Sequence, residues 1–233
     1  MSDLLKILFP PRCPACRKVM EADGTYIHEV CRHKFRQITE PRCFKCGRSL
    51  KNEEEALCPE CRQKKHSYSY GFCLYEYNET ARTAMIDFKS NGIRRNGDFF
   101  IKGIIDELGP HIKRMNPEAL VPVPVTGKRK SERGFNQSEY LAKGIGEALG
   151  ICVDSDILYR VGISKEQKKL SGRERSAISL TGFEAVEDMQ YKRICLVDDV
   201  YTTGSTLEGC TRALQKSGAE EVGFVTVFSG DMF

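Results

Sequence analysis

The chain has 233 residues, 40% of them hydrophobic, enough to bury a substantial core in one or two domains. No apolar run approaches the roughly eighteen residues of a membrane span. The apolar stretch at residues 4–9 lacks the length and the small-residue cleavage site of a signal peptide, so a soluble cytoplasmic protein is expected.

The net charge of +4 is unevenly placed: residues 1–66 hold fourteen Lys and Arg against nine Asp and Glu, and the remainder holds 22 against 23. A basic front of this size permits contact with nucleic acid without demonstrating it. The same region carries an internal repeat. Cys13-x2-Cys16 and His28-x2-Cys31 are followed, thirty residues later, by Cys43-x2-Cys46 and Cys58-x2-Cys61, with His28 standing where its counterpart is a cysteine. Each x2 pair can hold a metal from one turn, and four thiolate or imidazole ligands complete the tetrahedron that zinc prefers. Two zinc ions would use all eight residues and supply folding energy to segments with few large apolar side chains. A disulfide framework competes poorly, because it would not place a histidine in register and a reducing cytoplasm disfavours it. The spacing leaves the grouping open: Cys13 and Cys16 can join either His28 and Cys31 or Cys43 and Cys46. His33 is a nearby spare, expected on the surface. Of the other cysteines, Cys152, Cys195 and Cys210 fall singly within apolar or helical patterns and are expected to be buried thiols.

Residues 67–77 alternate, with Tyr68, Tyr70, Phe72 and Leu74 on one face, and read as a half-buried strand that opens a second domain, 67–233, after a zinc-binding domain, 1–66. Helices are expected at 80–88 and at 99–108, the second stopping at Gly109-Pro110. Residues 120–125 form the next strand, whose two prolines mark its end. After it come Thr126, Gly127, Lys128, Arg129 and Lys130, then Arg133-Gly134-Phe135-Asn136-Gln137. A glycine with several cations suits a loop that meets a polyanion such as pyrophosphate, although a solvated basic turn ahead of the helix at 138–149 is the plainer reading. Residues 164–175, with Gln167, Lys168, Lys169, Ser171, Gly172, Arg173 and Arg175, are polar enough to be either surface coil or a flap over bound diphosphate.

The most informative stretch is 194–206. Four apolar residues suit a strand buried on both faces of a parallel sheet, and Asp198 and Asp199 at its end must face ligand or solvent. Thr202, Thr203, Gly204, Ser205 and Thr206 follow, small enough for successive backbone N–H groups to converge on one anion, and a helix at 207–217 opens from them. An acid pair just before a phosphate cradle can accept hydrogen bonds from hydroxyls of the same ligand, which fits a sugar phosphate. A last strand is expected over 218–228. Alternation of strands and helices through the larger domain predicts an α/β fold, a parallel sheet with helices on both faces and the ligand at its carboxyl edge.

The acid pair with its Thr-Thr-Gly-Ser-Thr loop resembles the phosphoribosyl-pyrophosphate (PRPP) signature of type I phosphoribosyltransferases. With the zinc-ligand positions, Pro122-Val123-Pro124, Arg133-Gly134-Phe135-Asn136-Gln137, Gln167, Leu170-Ser171 and Arg175, nearly the whole chain is similar to the ComF family of late competence proteins. His28 and Ile178 depart from that family's pattern, at a zinc ligand and near the flap. The resemblance implies that the loop holds the 5-phosphate of PRPP and that Asp198 and Asp199 hold the ribose. It implies that Thr126, Gly127, Lys128 and Arg129, with Arg133 and Arg173, meet pyrophosphate, and that Mg2+ bridges pyrophosphate and ribose. It also implies a part in natural transformation, handling incoming single-stranded DNA beside a ComFA-type helicase, in the cytoplasm or peripherally at the inner membrane. Two other readings stand beside it. One is an active transferase with an unidentified acceptor; the other is a PRPP-sensing regulator that binds duplex DNA, for which no helix-turn-helix signal is present.

Overall fold

A computed structural model describes residues 10–21, 23–161 and 182–230, apart from the side chains of 128–130. The two Cys-rich halves come first, with a 3-10 turn at Glu29–Lys34 and a short helix α1 at Pro59–Gln63. Strand β1 (Gly71–Glu76) then leads into α2 (Glu79–Lys89), α3 (Arg94–Gly103), a π turn (Ile104–Leu108) and α4 (Gly109–Met115). Strand β2 (Ala119–Pro122) is followed by α5 (Gly127–Arg133) and α6 (Gln137–Leu149), then by β3 (Leu158–Arg160) and β4 (Phe183–Ala185). The chain closes through β5 (Arg193–Tyr201), α7 (Ser205–Lys216) and β6 (Glu221–Ser229).

Four strands make a parallel sheet in the order β1-β6-β5-β2, with β3 and β4 a separate antiparallel pair. The long apolar runs of β5 and β6 need cover on both faces, and both receive it. On one face α2, α3, α4 and α6 pack Phe88, Phe100, Ile112 and Leu141 against Leu74, Cys195, Val197 and Val225. On the other, α7 and the β3–β4 pair bring Leu207, Leu214, Leu158 and Phe183 onto Ile194, Leu196 and Phe224.

Each Cys-rich half joins one of these cores. Met20, Ile27, Cys31 and Phe35 belong to the first, and Ile38, Leu50, Cys58 and Cys61 to the second. The link between the halves runs along the free edge of β1, where Ile38 N donates to Leu74 O at 2.8 Å and Glu76 N to Arg36 O at 2.8 Å. An open edge strand is an aggregation hazard, and this pairing covers it. β1 is nonetheless not the half-buried strand its alternation predicts: Gly71, Cys73, Leu74 and Tyr75 are all buried, because Leu74 and Tyr75 join the first core and Cys73 the second. Gly71 is required there, since a Cβ would lie 2.0 Å from the Phe224 ring.

Other boundaries differ from expectation for local reasons. The helical path does not stop at Gly109-Pro110, because a proline in the first turn of a helix forfeits only an N–H that has no partner, so α4 starts there. Strand β5 continues through the acid pair to Tyr201, and α7 begins at Ser205, earlier than residue 207. The basic stretch after β2 is the helix α5 rather than a loop. Cys195 and Cys210 are buried as expected, but Cys152 is exposed. Residues 164–175 lie outside the described residues, between β3 and β4. No helix among the described residues is long and apolar enough to cross a membrane.

Candidate ligand site and metal centres

The candidate ligand site lies at the carboxyl end of β5. Val123 N donates to Val197 O at 2.9 Å, so the turn leaving β2 lies beside the acid pair. Asp198 and Asp199 follow the last buried apolar residue, Val197, and both are half-buried. Asp198 Oδ1 accepts from Ser138 Oγ at 3.0 Å and from the Asp199 amide at 2.9 Å. Asp199 Oδ2 lies 2.7 Å from Lys89 Nζ at the end of α2. Neither Ser138 nor Lys89 stands out in the sequence. Lys89 is an ordinary basic residue in the last turn of a helix, and its meeting with Asp199 is set by the packing of α2 on the sheet.

Burial pushes the Asp198 carboxyl from its ordinary 3.8 up to about 7, and the neighbouring Asp199 charge adds to the shift. The folded chain therefore holds a proton on Asp198 that the unfolded chain has released across the window from about 4 to about 7. The stability contributed by this group is present below that window and is lost as pH rises through it. Denaturant unfolding across pH 4 to 8 is expected to show this decline in the wild type and a flatter profile in Asp198→Asn. An unchanged slope in the variant would disprove the assignment.

Beyond Tyr201 the loop turns sharply into α7. Gly204, the residue that caps α7, has φ of 75°, and a Cβ there would meet the Tyr201 hydroxyl at 2.8 Å and the Tyr68 hydroxyl at 3.0 Å. Gly204→Ala is expected to cost about 1–2 kcal/mol from the backbone conformation and the close contact. Thermal melting checks it, and an unshifted midpoint would count against the geometry. Thr203 Oγ1 and Ser205 Oγ are 2.9 Å apart, and Thr203, Ser205 and Thr206 are exposed while Thr202 is half-buried. The loop thus places small hydroxyl side chains at the start of a helix, where an anion is favoured.

Among the remaining residues of interest, Thr126 is half-buried and Gly127 opens α5. Arg133 donates to Gln137 Oε1 at 2.9 Å. The side chains of Lys128 and Arg129, and all of Arg173, lie outside the described residues. The Arg-Gly-Phe-Asn-Gln segment has a structural task as the joint between α5 and α6. Gly134 takes φ of 75°, and the Asn136 side chain caps α6 at the Ser138 amide while donating to Val123 O at 3.2 Å. Phe135 packs edge-on against Phe88 at 5.5 Å, beside Lys89.

The two Cys-rich halves resolve into two separate clusters. Cys13, Cys16, His28 and Cys31 form one and Cys43, Cys46, Cys58 and Cys61 the other, with ligand atoms within 4.8 Å of one another. The sequence left this grouping open; the fold keeps each within its own half. None of the cysteines is in a disulfide. A buried, sulfur-rich set of four donors fits zinc. The first cluster is tied to α2, the helix that carries Lys89, by Arg17, which follows Cys16 and grips the buried Asp87 carboxylate with two hydrogen bonds of 2.9 Å.

Comparison with known proteins agrees with this architecture. Residues 4–62 match the double zinc ribbon domain, and residues 92–231 match the phosphoribosyl transferase domain. Competence protein F of Haemophilus influenzae is 28% identical over 91% of this chain and 93% of its own length. Competence protein ComFC of Bacillus subtilis is 29% identical over 81% and 77%. The DNA utilization protein YhgH of Escherichia coli is 34% identical over 91% and 94%. Matched in turn by both domain models and by these relatives over most of their length, the chain belongs to the ComF family of competence proteins.

Proposed function

We propose that this protein acts in the cytoplasm in the uptake and use of external DNA, through a PRPP-binding site and a zinc module. The relatives' names, competence protein and DNA utilization protein, both support a role with DNA. The observation that carries the PRPP reading is the acid pair of β5 running directly into a hydroxyl-lined, glycine-capped loop at the start of α7.

In this reading Thr202, Thr203, Gly204, Ser205 and Thr206 hold the 5-phosphate, and Asp198 and Asp199 accept hydrogen bonds from the ribose hydroxyls. Lys128, Arg129 and Arg173 neutralise the pyrophosphate, with Thr126, Gly127 and Arg133 shaping that end. An oxygen-only acid pair suits Mg2+, which would supply charge neutralisation at the diphosphate. Zinc in both ribbons, one ion for each group of four, would hold the two Cys-rich halves of the 1–66 domain in shape. That module would contact single-stranded DNA or a ComFA-type helicase, and residues 67–233 would form the PRPP-binding domain.

A second reading, an active transferase, gains from one observation. An acid brought to about 7 is poised for proton transfer at neutral pH. Calorimetry with PRPP and Mg2+ tests the shared part of both readings and expects saturable binding; release of pyrophosphate over a panel of bases and amines separates them. Absence of PRPP binding would defeat both.

A further inference from the structure

The second zinc ribbon and the loop assigned to the 5-phosphate are joined by one side chain. Arg48 follows the Cys43-x2-Cys46 knuckle, and one of its guanidinium nitrogens donates to the carbonyl of Thr202, the first residue of the loop. Its Nε donates to Ser229 Oγ at 3.2 Å, at the end of β6, and its other terminal nitrogen pairs with Glu60 of α1 at 2.9 Å. The guanidinium also lies over the Tyr201 ring, 5.1 Å from its centre. The side chain is 20% exposed, so these bonds are largely shielded from water.

The knuckle itself cannot shift freely. Gly47 has φ of 71°, and a Cβ there would stand 2.5 Å from Gly71 O and 2.7 Å from the Phe72 Cα, so this turn is seated on the backbone of β1. Cys73 Sγ donates to Cys46 O at 3.2 Å. A second path runs through tyrosines. Lys45 lies 5.7 Å over the Tyr68 ring, the Tyr68 and Tyr201 hydroxyls are 2.9 Å apart, and Gly204 rests against both. The ring of Tyr201 is stacked on Phe224 at 5.4 Å on the sheet side.

We infer that the second zinc ribbon is the floor of the phosphate loop and that Arg48 is a positioning residue for it, fixing the Thr202 carbonyl so that the amides after it face the ligand. Arginine suits the task because its planar fork reaches Thr202, Ser229 and Glu60 at once while its face covers a ring; lysine, whose donors all sit on one nitrogen, cannot do all of these. The inference deepens the PRPP reading and rests on it. Because coupling is reciprocal, whatever loosens or loads this ribbon is felt at the loop, and the reverse.

The test uses the full zinc-loaded chain, wild type against Arg48→Ala and Arg48→Lys, with ribose 5-phosphate and inorganic pyrophosphate as separate probes in calorimetry. Arg48→Ala is expected to weaken ribose 5-phosphate about tenfold, the scale of a lost hydrogen bond from a charged group, and to leave pyrophosphate within about twofold at unchanged zinc content. Arg48→Lys should recover part of the loss. Equal ribose 5-phosphate affinity in wild type and Arg48→Ala would overturn the proposal, as would a parallel fall for both probes or loss of zinc, which mark a merely structural role. Hydrogen exchange without ligand gives an independent readout: faster exchange at Thr203 and Ser205 in Arg48→Ala is expected, and unchanged exchange overturns the proposal. A wild-type chain that binds neither probe defeats the PRPP reading, while the exchange result still decides whether Arg48 holds the loop.

Discussion

Cys46→Ser is expected to halve the zinc content and to lower the melting temperature by about 10 °C or more. Structural zinc contributes roughly 10–16 kcal/mol of binding free energy to small ribbons, and a site left with three ligands forfeits a large part of it. In a domain of this size each kcal/mol lost moves the midpoint by about 2–4 °C. The effect should exceed that of a typical buried cysteine because of where Cys46 sits. It is fully buried, its carbonyl receives the Cys73 thiol, and the knuckle it anchors packs on β1 within the core that also contains Phe224 and Leu207. Cys152→Ser provides the contrast, since that thiol is exposed and belongs to neither cluster. Metal analysis and calorimetric melting of both variants check the expectation. A Cys46→Ser protein with wild-type zinc and midpoint would show that the second cluster is not a metal centre.

The parts legible in the sequence are those whose physics is local. Knuckles with x2 spacing, an acid pair after four apolar residues, and small residues ahead of a helix each express their chemistry within about a dozen positions; the fold gathers the knuckles into two clusters and runs the acid pair of β5 through the small residues into α7. The repeat could not choose between the two groupings of its ligands, because each x2 pair holds a metal from its own turn and spacing does not say which two turns meet in space. The burial of β1 is hidden because part of its cover is the second ribbon, whose Gly47 turn is seated on Gly71 and Phe72, and alternation reports only on a strand's own side chains. Gly109-Pro110 ends a helix or begins one with equal ease, and which it does here depends on Leu108 just before α4 and Ile112 within it finding a place in the core. The residues that complete the site, Lys89, Ser138 and Arg48, come from α2, α6 and the second ribbon. Each is unremarkable where it stands in the chain. Only packing makes them neighbours of the acid pair and its loop.

Asp199→Ala is expected to weaken PRPP binding in the presence of Mg2+ by about a hundredfold and to lower DNA uptake in proportion. The substitution removes a charged acceptor, and charge-assisted hydrogen bonds of this kind contribute roughly 1.5–3 kcal/mol each. It also leaves Lys89 without the carboxylate that lies 2.7 Å from its ammonium, in a place where that lysine is only 19% exposed. An unpaired, mostly buried cation next to the site alters its field as well as its shape. Asp199→Asn separates the two effects, because it keeps an acceptor oxygen for a ribose hydroxyl but no charge for Lys89 or a divalent cation. Its affinity should fall between wild type and Asp199→Ala. Melting of each variant guards against a trivial loss of fold, and the Asp198 partners Ser138 and the Asp199 amide give no reason for one, since neither depends on the Asp199 side chain. If Asp199→Ala bound PRPP as the wild type does and supported normal transformation, the acid pair would not be the ribose clamp, and the loop beyond it would have to be explained by some other anion.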